Sequence, residues 1–222
     1  MAATYDANTT VDGWTVSSLL TGAFTITSSA NRAAILGLSF WTDLTGQTFS
    51  EILCGGQSGA AITDAAIWNA AGASGCKLFG VKQPDSGSGK TAHLHWTTAA
   101  TASLGVITAS GVDQTTPWNG GTSAATAYGT SVSRSVTSAA GDLTVTSCLT
   151  NAGDKAQTSN YTKQTSDFAC MDTGPGTSNP THTWSHAATT MVVAGANFVQ
   201  YAAAGGSTTP GKMDTYRRRR VA

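Results

Sequence analysis

"ASGVDQTTPWNG", from Ala109 to Gly120, decides how this chain is read. The segment before it, Thr101 to Ser110, has strand character: Leu104 and Val106 lie two apart and share a face. Then the alternation stops. Gly111 accepts backbone conformations awkward for other residues. The Asp113 side chain can hydrogen-bond the backbone of a turn. Pro117 has no N–H and ends ladder pairing. The stretch reads as a corner at which the chain leaves one sheet for another. Trp118 stands out within it, because it is loop-borne and followed by Asn119-Gly120-Gly121. It serves either as an interface anchor or as a lid folded back over a sheet edge.

The same two-residue period recurs outward from the corner. Ala34, Leu36, Leu38 and Phe40 fall on one face, as do Phe79 and Val81. In "TAHLHWT", Ala92, Leu94 and Trp96 point one way and His93 and His95 the other. Leu143, Val145 and Leu149 share a face with Ser147, and "TTMVVAGANFVQY" gives a last long strand. Turn clusters separate these runs: Gly55-Gly56, "PDSGSG", "AAGD" at Ala139–Asp142, "NAGD" at Asn151–Asp154 and "GPGTSNP" at Gly174–Pro180. Only Thr63–Ala73 offers a short helix as an alternative. The expectation is an all-β, two-sheet antiparallel sandwich of about eight to ten strands, each sheet burying one face and showing the other. It occupies residues 1–204, and residues 205–222 form an extended basic C-terminal arm.

Composition narrows the function classes. Only 11% of the 222 residues are charged, against roughly a quarter in typical domains. Weak self-repulsion tolerates dense side-by-side packing. Lys212, Arg217, Arg218, Arg219 and Arg220 against Asp214 give the last eleven residues a net charge of +4, and the remainder carries −4. A basic arm on a mildly acidic body suits docking on an acidic protein surface. Nucleic-acid binders instead spread basic charge over a folded face. The start, "MAATYDANTTVDGW", has neither the basic nor the apolar region of a signal peptide, so Sec export is not expected. No run approaches the length of a membrane helix. Cys54, Cys76, Cys148 and Cys170 show no CxxC pattern; their even count permits two disulfides in any of three connectivities, while a cytosolic product favours buried free thiols.

Familiar chemistry is hard to assemble from these residues. "PDSGSGKT" (Pro84–Thr91) has Pro84 where a phosphate loop needs Gly, and a strand follows instead of a helix. His93 and His95 fix at most two ligands of a metal site; His182 and His186 are the remaining imidazoles. "GGQSGA" lacks the last glycine of a nucleophile elbow. Cys54 reads as a small buried hydrophobe. Glu51 is the single glutamate, so a glycosidase would have to rely on aspartates. No catalytic residue, cofactor or metal is expected. Of six tryptophans, most fall in strand patterns and are expected in the core.

"ASLGVITASGVDQTTPWNGG", "SVSRSVTSAAGDLTVTSCLT" and "TWSHAATTMVVAGANF" together resemble a recurring jelly-roll-like β-sandwich module of phage virion and bacterial surface proteins. That module shares the "SGVDQTTP" corner and an "AAGDLTV"-type strand. "SEILCGGQ" (Ser50–Gln57) is similar to its earlier "V-T-F-G-G-Q" turn. The resemblance runs from about Val11 to Tyr201. It implies a virion component, with a capsid decoration (cement) protein as the leading expectation. The partners would be the major capsid protein or other virion subunits and further copies of the chain, a trimer among the options. Assembly would take place in the host cytoplasm, with no membrane. The expected partner-binding residues are Trp118, Lys212, Tyr216, Arg217, Arg218, Arg219 and Arg220. The alternative is a receptor- or glycan-binding module of a tail fibre or surface appendage, with Trp118 and Trp184 stacking on sugar rings.

Overall fold

Thr97–Thr101 contains neither glycine nor proline, so the strands read on either side of it are one strand, β8 (Ala92–Ser110). In the computed structural model, which describes residues 2–43, 47–152, 156–165 and 168–202, this strand organises the molecule. One edge of β8 carries β1 (Thr4–Leu20), antiparallel. The other edge is shared. β3 (Ala33–Phe40) pairs with its Ala102–Ala109 half, and β4 (Phe49–Cys54) with its Ala92–Trp96 half. From β3 the ladder runs through β6 (Ser74–Lys82) and β5 (Gln57–Asn69) back to β4. Five strands, β8-β3-β6-β5-β4, thus close into a barrel with β1 alongside. The β4–β5 hairpin is a two-residue turn, Gly55-Gly56, with φ of +56° and +81°; positive φ at both central residues is the type I′ requirement.

A second antiparallel sheet lies on the barrel wall. It is ordered β11 (Thr158–Ser159), β14 (Thr181–Phe198), β10 (Leu143–Thr150), β13 (Cys170–Pro175), β12 (Thr162–Lys163). β9 (Gly121–Ser135) pairs with β14 on the edge away from β10. A small ribbon, β2 (Phe24–Ile26) with β7 (Gly87–Lys90), completes the described strands.

The all-β antiparallel class is as the alternation implied, but the expected pair of stacked open sheets is corrected to a closed barrel carrying a sheet. The reason is the length of β8: nineteen residues present enough edge for two strands, which curl round to meet through β5 and β6. Residues with one face to the lumen, such as Leu36, Phe79, Leu94, Trp96 and Leu104, form one core cluster. Ile35, Leu78 and Ile107 point outward and join Val145, Leu149, Val192 and Phe198 in another. β3 is therefore buried on both faces, which corrects the expectation of one face shown. Small residues make this approach possible. A Cβ on Gly37 or Gly105 would lie 3.0 or 2.7 Å from the Met171 sulfur, so the wall is recessed where β13 crosses it.

Two further readings change. Fourteen strands are present among the described residues, more than the expected eight to ten. Thr63–Asn69 continues β5 past an irregularity at Ala61/Ala66, where Asp64 has φ +61°. Only Ala70–Gly72 turns, as one 3-10 turn capped by the Asn69 side chain accepting from Ala71 N–H at 3.1 Å. The arm, residues 205–222, lies outside the described residues.

Candidate functional site

The corner does what its sequence suggests. Gly111 takes φ +70° as β8 ends, and the next strand, β9, belongs to the second sheet. Asp113 Oδ1 accepts from Thr115 N–H at 2.7 Å and Thr116 N–H at 2.9 Å. The loop is then sewn to the end of β14. Asp113 N–H donates to Val199 O, and Val199 N–H to Pro117 O, both at 2.8 Å. Asn119 N–H donates to Asn197 Oδ1 at 2.9 Å. Trp118 is half-buried, against the core shared by barrel and sheet. Its ring lies on Gly80 of β6, where a Cβ would come within 2.3 Å of it. Of the other expected partner-binding residues, Lys212, Tyr216 and Arg217 to Arg220 lie outside the described residues. Gly80→Ala should displace the indole and cost about 1–3 kcal/mol, an overpacking penalty. In a Gly80→Ala/Trp118→Ala double variant, the two losses should sum to more than the pair costs together. Thermal unfolding of all three variants checks it.

The histidines do not converge. His93 and His95 lie on β8, where His93 Nδ1 meets Glu51 Oε2 at 2.8 Å and His95 Nδ1 meets Ser50 Oγ at 2.6 Å. His182 and His186 lie on β14. Among the described residues, no group of three or more His, Cys, Asp or Glu could hold a metal ion.

His182 instead belongs to a sealed polar network on the face of the second sheet turned away from the barrel. Its Nδ1 meets Asp172 Oδ1 at 2.9 Å, and its Nε2 meets Thr144 Oγ1 at 2.9 Å. Thr146 Oγ1 donates to Asp172 Oδ1 at 2.6 Å and accepts from Trp184 Nε1–H at 2.8 Å. Ser159 donates to the other carboxylate oxygen. The order Thr144–His182–Asp172 imitates a nucleophile, base and orienting acid. Two facts oppose that use of it. All three side chains are fully buried, and the Thr144 hydroxyl already donates to Gly174 O at 2.9 Å. The network holds β10, β13 and β14 in register. Sequence reasoning weighed His182 only as a metal ligand and Trp184 as a sugar platform; both are buried here.

The thiols are also interior. Cys54, Cys76, Cys148 and Cys170 are buried and form no disulfide. Burial pushes Cys54 and Cys76 from 9.0 up to about 12 and holds Cys148 well above its ordinary value. A thiol that stays protonated is neither nucleophile nor ligand.

An open concavity among the described residues also carries polar and aromatic side chains. Trp14, which sequence reasoning left with the core tryptophans, is 73% exposed. It sits where β1 slips register against β8 between Gly13 and Val16. The next residue, Thr15, has φ +52°, a region that costs a β-branched residue on the order of 1–3 kcal/mol. Beside it opens a cleft of about 340 Å³ lined by Asp12, Gly13, Trp14, Trp41, Thr101, Ala102, Asn151 and Phe168. Trp41 and Phe168 form its wall, edge to face, with centroids 5.2 Å apart. Ser103 fixes the floor, donating to Asp12 Oδ1 at 2.5 Å and accepting from Ala169 N–H at 2.9 Å. Comparison with known proteins finds no matching family model, curated sequence or solved structure.

Proposed function

We propose that this chain is a non-enzymatic structural protein of a phage virion, a decoration or cement protein that stabilises the head through contacts with capsid subunits and with its own copies. The observation that carries this reading is the open edge of β9. This strand is fifteen residues long, pairs only with β14 among the described residues, and has Arg134 as its single charge. Long edges of free-standing proteins are usually blunted by charge, proline or shortness, because they template pairing with other chains. Here the edge carries instead the 74%-exposed ring of Tyr128. Such a strand suits β-augmentation by a neighbouring subunit, with an aromatic anchor.

The low charge of the chain and the basic composition of residues 205–222 support the same reading. So does the resemblance of the "SGVDQTTP" corner to the jelly-roll-like modules of virion proteins. The arm would add contacts whose strength falls with salt.

Co-expression with the particle, followed by sedimentation, tests the proposal. The wild-type chain should pellet with particles. A Tyr128→Lys/Ser131→Lys variant should lose at least about tenfold in association, the scale of one anchor. Removal of residues 206–222 should weaken attachment while the body stays folded. A wild-type chain that never pellets, or a truncated chain holding equally well at raised salt, overturns it.

A further inference from the structure

We infer that Asn119 is a site of spontaneous covalent modification, at which loss of ammonia converts the side-chain amide to aspartate and isoaspartate. Of the eight asparagines in the chain, only Asn119 precedes a glycine. That pairing matters because the attacking group is the backbone nitrogen of the next residue. It must reach the Asn119 Cγ, and a Cβ on that next residue stands in the way. Gly120 has none. It also takes φ +88°, and a Cβ built there would meet nothing within 4 Å, so the loop leaves room for the ring that forms.

The fold leaves the amide untethered as well as accessible. Asn119 is exposed, in the loop between β8 and β9. Its backbone N–H is held by Asn197 Oδ1 at 2.9 Å, but among the described residues its side chain has no hydrogen-bond partner. Nor, among the described residues, does a backbone hydrogen bond outside the ladders take the Gly120 N–H. The other asparagines lack this combination. The Asn8 amide donates to Tyr5 Oη at 2.6 Å, Asn69 to Thr126 O at 3.1 Å, Asn160 to Thr181 O at 3.0 Å and Asn197 to Asp142 Oδ2 at 2.9 Å. Asn179 precedes Pro180, which has no N–H to lose. Asn31 and Asn151 precede Arg32 and Ala152, whose side chains crowd the attack.

The reaction needs only water. The Gly120 nitrogen bonds to Asn119 Cγ, the bond from Cγ to the amide nitrogen breaks, and ammonia leaves with the Gly120 proton. Water then opens the cyclic imide at either of its carbonyls. One opening gives aspartate. The other gives isoaspartate, in which the side-chain carbon becomes part of the backbone. Both products put a carboxylate next to Trp118, at the joint between barrel and second sheet, and isoaspartate also lengthens that joint. The chemistry uses no group of the β9 edge, and the inference stands whether or not the chain joins a particle.

The test ages the full chain at about pH 8, below the range in which its buried thiols titrate, beside a synthetic peptide of residues 109–125. Trypsin cuts after Lys90 and Arg134 and releases a fragment in which Asn119 is the single asparagine. That fragment should gain the mass of an amide-to-acid conversion, and isoaspartate methyltransferase should label it, before any other asparagine of the chain changes. Gly120→Ala should slow the conversion at least about tenfold, a barrier higher by about 1.4 kcal/mol. Alanine at this positive φ is strained, so Asn119→Ser gives a second control. It keeps the backbone N–H bond to Asn197, should melt with the wild type, and should take no label in this fragment. The inference is overturned if the fragment stays unmodified over the time in which the peptide converts, if another asparagine converts first, or if Gly120→Ala, shown folded by thermal melting, converts as fast as the wild type.

Discussion

Asp172→Ala is expected to remove about 3–5 kcal/mol of stability, the penalty for stranding one member of a buried charged or polar pair. Asp172 accepts from Thr146 through both the backbone N–H and the hydroxyl, from Ser159, and meets His182 Nδ1. Removing it leaves a fully buried imidazole facing a hole, along with the buried Thr146 donors, while half-buried Ser159 can turn to water. Natural domains hold only about 5–15 kcal/mol in total, so the variant should lose roughly a fifth of its stability or more. Asp172→Asn keeps the shape and one acceptor, and should cost about 1–3 kcal/mol. Guanidinium midpoints of the three proteins measure both values. A loss below about 1 kcal/mol for the alanine variant would mean that water enters and the network is not sealed.

The same network shows what could be read from residues and what could not. The corner was legible because glycine, aspartate and proline act locally: Gly111, Asp113 and Pro117 each bend or cap their own backbone. Apolar alternation was legible for the same reason, and Leu36, Phe79, Leu94 and Val106 share a core as their spacing implied. β1 and β9 were not, because threonine, serine and alanine occupy both of their faces and leave no contrast to count. Barrel closure was hidden for another reason. It depends on which half of β8 each neighbour pairs with, a register that no single strand encodes. His182 finds its acid ten residues earlier, on a strand separated from its own by β10, where no motif spacing points. Trp14 looked like core because tryptophan in a strand usually is; an irregularity in pairing with β8 turned it out. Local chemistry was read correctly, whereas partners chosen by topology were not.

Alkaline pH should unfold this protein earlier than its small charge suggests, and the cause lies in its buried thiols. In the folded chain Cys54 and Cys76 have pKa values raised by burial from 9.0 to about 12. A group whose folded pKa lies above its unfolded one adds stability that is complete below the unfolded value. That stability is lost as pH climbs toward the folded value, because the unfolded chain releases the proton first. Each thiol should therefore cost about 1.4 kcal/mol for every pH unit between about 9 and 12. By pH 11 the pair removes about 5 kcal/mol, comparable with the whole stability of a modest domain. Cys148, raised in the same direction by its burial, steepens the fall. Urea midpoints should be level from pH 7 to about 8.5 and then drop. Tyrosines also titrate at high pH, so the decisive comparison is one of slopes. Cys54→Ala leaves a gap in the barrel core and lowers stability at every pH, yet its pH dependence above 9 should be shallower by about 1.4 kcal/mol per unit. A variant with an unchanged slope would show that the Cys54 thiolate forms as easily inside the barrel as outside it, which no closed apolar lumen permits.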